Sequence, residues 1–434
     1  MSNSVSTLRY KAVVIEPLGG GKPIDVTNSI LGMDYYEDIL SPSVTMTMQL
    51  VNSSSLFNLL PIRGGEKVSV ELETHLGDFN LDGEYSMYVV KVSNMVPTTN
   101  REIMTLHLVS REALTNETSR CQKKYTGNIK TSVEDILTNT LRTKKYKSEN
   151  IESTGNEYNF IGNQKKPFHV LVWLGPKSVP ATSSSGNSGN SNTGQAKGVS
   201  GFLFFENKDG FNFKSIDSLV SKTKLSSSSA DNKEIVKYFY TQVNEGLNAT
   251  NDFKILNFNF EKNIDLMKSL RVGTFVNKTY FFDLYQNKLD SYVYNLKNEI
   301  KNTLGTNKIS VPNEFAEDNR ISRIMFRISD RGILSEDEVT KDSGRDITDM
   351  SKSFSRYNIL FSQSLNMMIP CNVNLKAGDI IYVDLPRVDR SEQKETDEET
   401  SGNYLIKELR HHFEGSQTIT SLKLVRDSYG LYGA

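Results

Sequence analysis

Much of the first 115 residues alternates apolar and polar side chains with a period of two. In the stretch Val44 to Val51, Val44, Met46, Met48 and Leu50 share one face of an extended chain, and the intervening positions are mostly Thr. Val68–Leu72 and Leu106–Val109 repeat the habit, and glycines at 19–21, 64–65 and 77 punctuate the runs as turns. The pattern predicts an antiparallel barrel or sandwich over residues 1–115.

The texture changes after Arg120. Thr131-Ser-Val-Glu134 reads as a capping box, with Val133, Ile136, Leu137 and Leu141 following at helical spacing. Pro167 opens a second short helix through Phe168, Leu171 and Trp173 to a Gly175-Pro176 stop. From Thr182 to Gly198 the chain is almost all Ser, Asn, Gly and Thr, which buries too little to offset its ordering entropy, so a surface loop is expected over 182–198. Phe202, Phe204, Phe211 and Phe213 flank an Asp209-Gly210 turn and predict a hairpin with a buried aromatic core. Residues 116–240 therefore form a mixed α+β middle domain. Strand texture returns from Phe253, and a helical face of Tyr285, Leu289, Tyr292, Leu296 and Ile300 predicts an amphipathic helix. The reading is a second β domain over 241–284 and 356–434, with a helical insertion at 285–355.

An internal repeat ties the two β domains together. Gly65, Glu66, Val70 and Leu72 recur in register as Gly378, Asp379, Val383 and Leu385, at an offset of 313. Tyr88 and Lys91 recur as Tyr404 and Lys407, and Leu106 and Val109 as Leu422 and Val425, both at an offset of 316. The three-residue slip falls in the loop after Leu72 and Leu385, where length changes are tolerated. Alternation alone would mean nothing, since any two antiparallel sheets share it; three ordered segments with a common interval indicate duplication. The fold class is thus mainly β, α+β overall: two tube-like antiparallel β-barrels related by duplication, plus the middle domain and insertion. A trimer of such chains would offer six near-equivalent barrels.

Composition narrows the function by exclusion. Lys and Arg number 51 against 52 Asp and Glu, with no basic block to drive nucleic-acid binding. No apolar run approaches the length of a membrane span, and no charged-then-apolar leader opens the chain, so neither membrane insertion nor secretion by a cleaved signal is expected. Cys121 and Cys371 are the only cysteines, and neither a zinc cluster nor a disulfide framework is expected. Among five histidines, His411 and His412 sit side by side on a strand and point to opposite faces, so they cannot chelate one ion. Gly19-Gly-Gly-Lys22 lacks the Ser or Thr and the spacing of a phosphate loop. The acidic set Glu392, Glu395, Glu398 and Glu399 lies in a charged tip over 387–400, of formal charge −3, rather than in a cleft. No catalytic, metal or cofactor residues are assigned, and no enzyme activity or cofactor is expected. A cell-wall hydrolase or a carbohydrate-binding protein are alternatives of another class.

The stretches Lys166–Leu174 and Gly201–Ile216 are similar to the middle domain of the baseplate hub proteins of contractile-tailed, T-even-type bacteriophages. Leu365–Pro370, Leu375–Asp379 and Tyr404–Lys407 resemble that family's second tube-domain barrel. The resemblance implies a structural protein of the virion tail baseplate, assembled in the host cytoplasm as a homotrimer of pseudo-sixfold symmetry. Its implied partners are a trimeric central spike below, hexameric tail-tube proteins above, baseplate wedge proteins at the side, and tape-measure protein and DNA passing through the lumen. The hub of a genome-free contractile injection or secretion particle is the alternative with the same mechanics.

Overall fold

The computed structural model describes residues 8–430, except 19, 53–61, 98–100, 182–199, 222–234, 241–251, 263, 285, scattered positions within 300–343, 388–394 and 416. The Ser/Gly-rich segment 182–198 and much of the acidic tip lie outside the described residues.

The first unit contains β1 (Leu8–Glu16), β2 (Ile30–Asp38), β3 (Thr45–Asn52), β4 (Lys67–Thr74), β5 (Met87–Pro97) and β6 (Glu102–Ser110). They pair antiparallel in the order β2-β3-β6-β5-β4-β1. The alternation seen in the sequence sets the faces: Met46, Met48, Leu50, Val68, Val70, Leu72, Leu106 and Leu108 are buried in one core. Each such side chain contributes roughly 1.5–3 kcal/mol by leaving water.

The middle region holds α1 (Arg111–Thr118), α2 (Ile129–Asp135), α3 (Pro167–Leu174) and a hairpin of β7 (Phe202–Asn207) and β8 (Gly210–Ser215). Pro167 occupies the first turn of α3 as expected. The α2 cap differs from the expectation: Asn128, not Thr131, starts the helix, and its side-chain oxygen accepts from Lys130 N at 2.9 Å. Asn128 wins because Thr154 holds its side chain in place, the Thr154 hydroxyl donating to the same oxygen at 2.6 Å. The four hairpin phenylalanines are buried, whereas Trp173 is half-exposed with Lys177 Nζ 4.6 Å from its ring.

The second half contains β9 (Val236–Phe239), β10 (Asn257–Lys262), β11 (Val276–Asp283), β12 (Lys288–Asn295), β13 (Arg323–Ile328), α4 (Gly344–Leu360), β14 (Gln363–Pro370), β15 (Ile380–Asp384), β16 (Gly402–Glu414) and β17 (Gln417–Arg426). Six of these strands pair in the order β10-β14-β17-β16-β15-β9.

Two expectations for this half fail. The amphipathic helix over 285–300 is instead strand β12, followed by a helix of only four residues, Leu296–Glu299. Leu289-Asp-Ser-Tyr-Val-Tyr294 carries β-favouring Tyr and Val, and β11 supplies an antiparallel partner over its whole length, so pairing overrides a coincidental helical spacing. Residues 276–283, assigned by sequence to the second barrel, pair with β12 and β13 in a separate three-stranded sheet. The true helix of the region, α4, comes later and buries Arg356 against Asp217 and Asp427 at 3.1 and 2.8 Å.

The two β units are not separate bodies. The outer edge of β2 pairs antiparallel with the C-terminal half of β16, from Asp38 opposite Glu408 to Gly32 opposite Glu414. Among the described residues this seam fuses both units into one 14-stranded sheet. Neither unit closes into the expected barrel there, because β2 gives its second edge to the other unit instead of to its own. Among the described residues no helix is long and apolar enough to cross a membrane.

Candidate functional site

The seam carries an extended polar face, built from rows of side chains that cross both units. Because side chains alternate along every strand, the face opposite the cores is polar, and the register lines it up across strand after strand. One row runs Asn257, Met368, Ser421, Arg410, Tyr36 and Thr45; the next runs His412, Asp34, Thr47, His107 and Lys91. A third joins Asn259, Asn366, Lys423, Glu408 and Asp38. The first and third of these rows line a groove of about 810 Å³ that crosses the seam.

Charges on this face are paired rather than massed. Asp34 accepts from Arg410 at 2.8 Å and from His412 Nδ1 at 2.7 Å, and His412 Nε2 lies 3.1 Å from Glu414. Partial burial pushes the Asp34 carboxyl up, but the hydrogen bonds from Arg410 and His412 outweigh it and hold it below the usual range. At the far edge Lys423 meets Glu261 at 2.9 Å; that hydrogen bond raises the Lys423 ammonium and lowers the Glu261 carboxyl.

Behind the face, the seam is locked from within. Glu37 is fully buried and accepts from Lys208 N at 2.6 Å, Ala377 N at 2.7 Å and the Tyr35 hydroxyl at 3.1 Å, joining the first unit, the β7–β8 turn and the second unit. Burial, only partly offset by those hydrogen bonds, pushes its carboxyl up to about 7. His411, on the core side of β16, touches Thr420 Oγ1 at 2.9 Å, and burial lowers its imidazole to about 3. The two histidines thus point to opposite faces, as the strand reading required. Among the described residues no group of three His, Cys, Asp or Glu could hold a metal.

The repeat residues fall at matching places in the two units. Gly65 and Gly378 both adopt positive φ, +97° and +88°, where a side chain is strained. Gly65 N donates to Val89 O and Val89 N to Glu66 O; Gly378 N donates to Ile406 O and Ile406 N to Asp379 O. Val70 and Leu72 on β4 and Val383 and Leu385 at β15 point into their respective cores. Leu106 on β6 and Leu422 on β17 do the same, while Val109 and Val425 end those strands. The Tyr pair is displaced by one residue. Tyr404 is buried in its core, but Tyr88 is half-buried and turned away, and Met87 takes the inward place. Lys91 and Lys407 accordingly do not correspond: Lys91 faces His107, and it is Glu408 that faces the matching Lys423.

Sequence comparison of β3 with β14 would have extended the match. Met48 opposes Leu106 and Met367 opposes Leu422, an agreement hidden by the intervening change of offset. The pairing order of the two units is the same strand for strand, β2-β3-β6-β5-β4-β1 against β10-β14-β17-β16-β15-β9. The last pair alone differs in sense, β9 running parallel to β15.

No protein-family model matches the chain. Over 420 residues it is 22% identical to a probable baseplate hub protein of Vibrio phage KVP40, covering 93% of this chain and 91% of that protein. In structure it resembles a tail protein from Neisseria meningitidis MC58, with a TM-score of 0.53 at 10% identity, covering 96% of each chain. It also resembles the 43 kDa tail protein of prophage MuSo2 from Shewanella oneidensis, with a TM-score of 0.50 at 10% identity, covering 98% and 100%. The chain is therefore similar to a phage baseplate hub protein along almost its whole length and takes the fold of phage tail proteins.

Proposed function

We propose that the chain is a structural baseplate hub of a contractile phage tail, in which three copies form a ring of pseudo-sixfold symmetry. The ring adapts a trimeric central spike to a hexameric tail tube and lets the genome pass on ejection. The observation that carries this reading is the common pairing order of the two β units, supported by the recurring Gly hydrogen bonds. Two like units per chain let three chains present six near-equivalent surfaces, which is what a threefold object needs to seat a sixfold one. The polar face across the seam suits a lumen wall. Arg410 and Lys423 on it each meet a carboxylate, so a passing polyanion finds little massed charge whose counterions it could displace. The role is mechanical and needs no catalysis.

The native mass of the purified chain tests the ring. Three 48.9 kDa chains give about 147 kDa. A trimer, imaged as six similar lobes, supports the hub. A strict monomer at every concentration overturns the adapter reading and leaves two like units within a single chain.

A further inference from the structure

One lysine is sealed inside the protein with two glutamates. The side chain of Lys145, in the segment after α2, is 1% exposed, as are those of Glu112 on α1 and Glu206 on β7. Its Nζ donates to Glu206 Oε1 at 2.8 Å and lies 3.1 Å from Glu112 Oε2. The backbone holds it in place: Lys145 N donates to the Thr143 hydroxyl at 3.1 Å, and Lys145 O accepts from Phe211 N at 3.3 Å. The Tyr85 ring lies 5.6 Å from Nζ.

The two carboxyls are held differently. Glu206 Oε2 accepts from Val44 N at 3.1 Å, so both of its oxygens are engaged and its carbonyl is polarised. Burial pushes its carboxyl up against the pull of Lys145, which favours the neutral acid. Glu112 is anchored through Oε1, which accepts from the Thr143 hydroxyl at 2.8 Å, while Oε2 is buried with no hydrogen bond of its own. Burial also disfavours the Lys145 ammonium, but the two carboxylates outweigh it and raise it. Nζ therefore becomes a nucleophile only by handing a proton to a neighbouring acid. Charges sealed from water in this way are costly to hold as ions.

We propose that Lys145 and Glu206 condense to an isopeptide bond within the folded chain, with Glu112 as the proton carrier. Glu112 Oε2 takes a proton from Nζ, and the freed amine attacks Cδ of Glu206. The Nζ–Cδ bond forms and one Cδ–O bond breaks. Two protons leave the nitrogen and join the departing oxygen as water, passed across by Glu112, which ends as it began. An ammonium and a carboxylate become a neutral amide and water, so charge balances and no oxidant or cofactor takes part. Contact inside the fold replaces a chance encounter in solution, and exclusion of water opposes hydrolysis. The bond joins positions 61 apart and ties β7 to the segment after α2. It forms once in each chain, so it makes the protein no enzyme, and it stands independently of the ring.

Mass spectrometry of the full chain tests the bond. The folded protein, incubated at neutral pH until its mass is constant, is expected to weigh less than its sequence by one water. A tryptic digest is expected to contain a branched peptide joining the stretch around Lys145 to that around Glu206, uncut after Lys145. Asp209-Gly210 can lose the same mass by closing to a succinimide, so the loss must map to the branch. Glu112→Gln keeps an acceptor for Thr143 but carries no proton, and Lys145→Arg keeps a cation between the acids but does not condense. Both are expected at full sequence mass with an unchanged circular dichroism spectrum. Full mass in the unaltered chain, or a loss confined to Asp209-Gly210, overturns the proposal, whether or not either variant folds. A Glu112→Gln chain that still forms the branch overturns the role of Glu112 and keeps the bond.

Discussion

At the scale of single residues, the seam depends on groups whose charge is set by burial. Glu37 is the clearest case. Its carboxyl titrates near 7 in the folded chain against 4.5 when exposed. Between those values the folded state keeps a proton that the unfolded state has released, so raising the pH across the window favours unfolding. The shift corresponds to about 3 kcal/mol, present in full below pH 4.5 and lost as pH passes 7. Glu37→Gln removes this titration while leaving a carbonyl to accept from the backbone. Urea unfolding at pH 5, 6, 7 and 8 should show a shallower fall in stability for the variant; parallel curves would discard the assignment. His411 acts in the opposite sense, its folded value of about 3 lying below 6.5, so it favours unfolding as pH falls through that range. His411→Gln should flatten the acid limb of the same curves, and an unchanged limb would show that another group sets it. Neither behaviour was legible in the sequence. Alternation set His411 and His412 on opposite faces without saying which was buried, and Glu37 reads as one more acid on a strand until Ala377 and Lys208, far off in the chain, are folded against it.

At the scale of elements, local pattern succeeded where one face is buried and the other wet. β3, β4 and β6 of the first unit, the Phe hairpin and α3 were readable from period and punctuation, whereas β1 and β2 were not singled out. The failures have two causes. Where apolar residues fit both periods, as from Leu289 to Tyr294, the partner strand decides, and that partner is a tertiary fact. Where only one copy carries a β-bulge, identical letters cease to be equivalent: β5 has a bulge between Ser93 and Val96 that β16 lacks, and Tyr88 and Tyr404, which match in the sequence, face opposite ways. The correspondence that packing does respect can be tested. Met48 and Met367 sit opposite Leu106 and Leu422 in like cores, and truncation of either to Ala should cost about 2–5 kcal/mol. Because the seam makes one sheet of both units, either variant should lower the midpoint of a single unfolding transition. Two separated transitions, only one of which moves, would show the units unfolding independently.

At the scale of the whole molecule, the pairing of charges on the polar face matters more than the net charge of −1, which says nothing of where charge lies. Asp34→Lys combined with Glu261→Lys would leave Arg410, Lys423 and two new cations without the acids they now meet. The purified variant should then bind duplex DNA in low salt and release it as salt rises, while the unaltered chain binds at neither concentration. Equal binding by both would remove the argument for a non-gripping wall.

The seam also has a consequence for biogenesis. Asp34 and Arg410 are bonded across 376 positions, and the first core takes Cys371, Val373 and Phe413 from the far end of the chain. During synthesis, β2 therefore emerges and waits, its outer edge and part of its core uncovered, until residues 371–414 leave the ribosome. Contacts so distant in sequence form slowly, and an uncovered strand is open to the wrong neighbour in the meantime. On a polysome the nearest wrong neighbour is a nascent sister chain with the same exposed edge. The timing of translation thus sets the hazard, and a chaperone that occupies that edge until β16 has emerged would raise the yield of folded chain without altering its final stability.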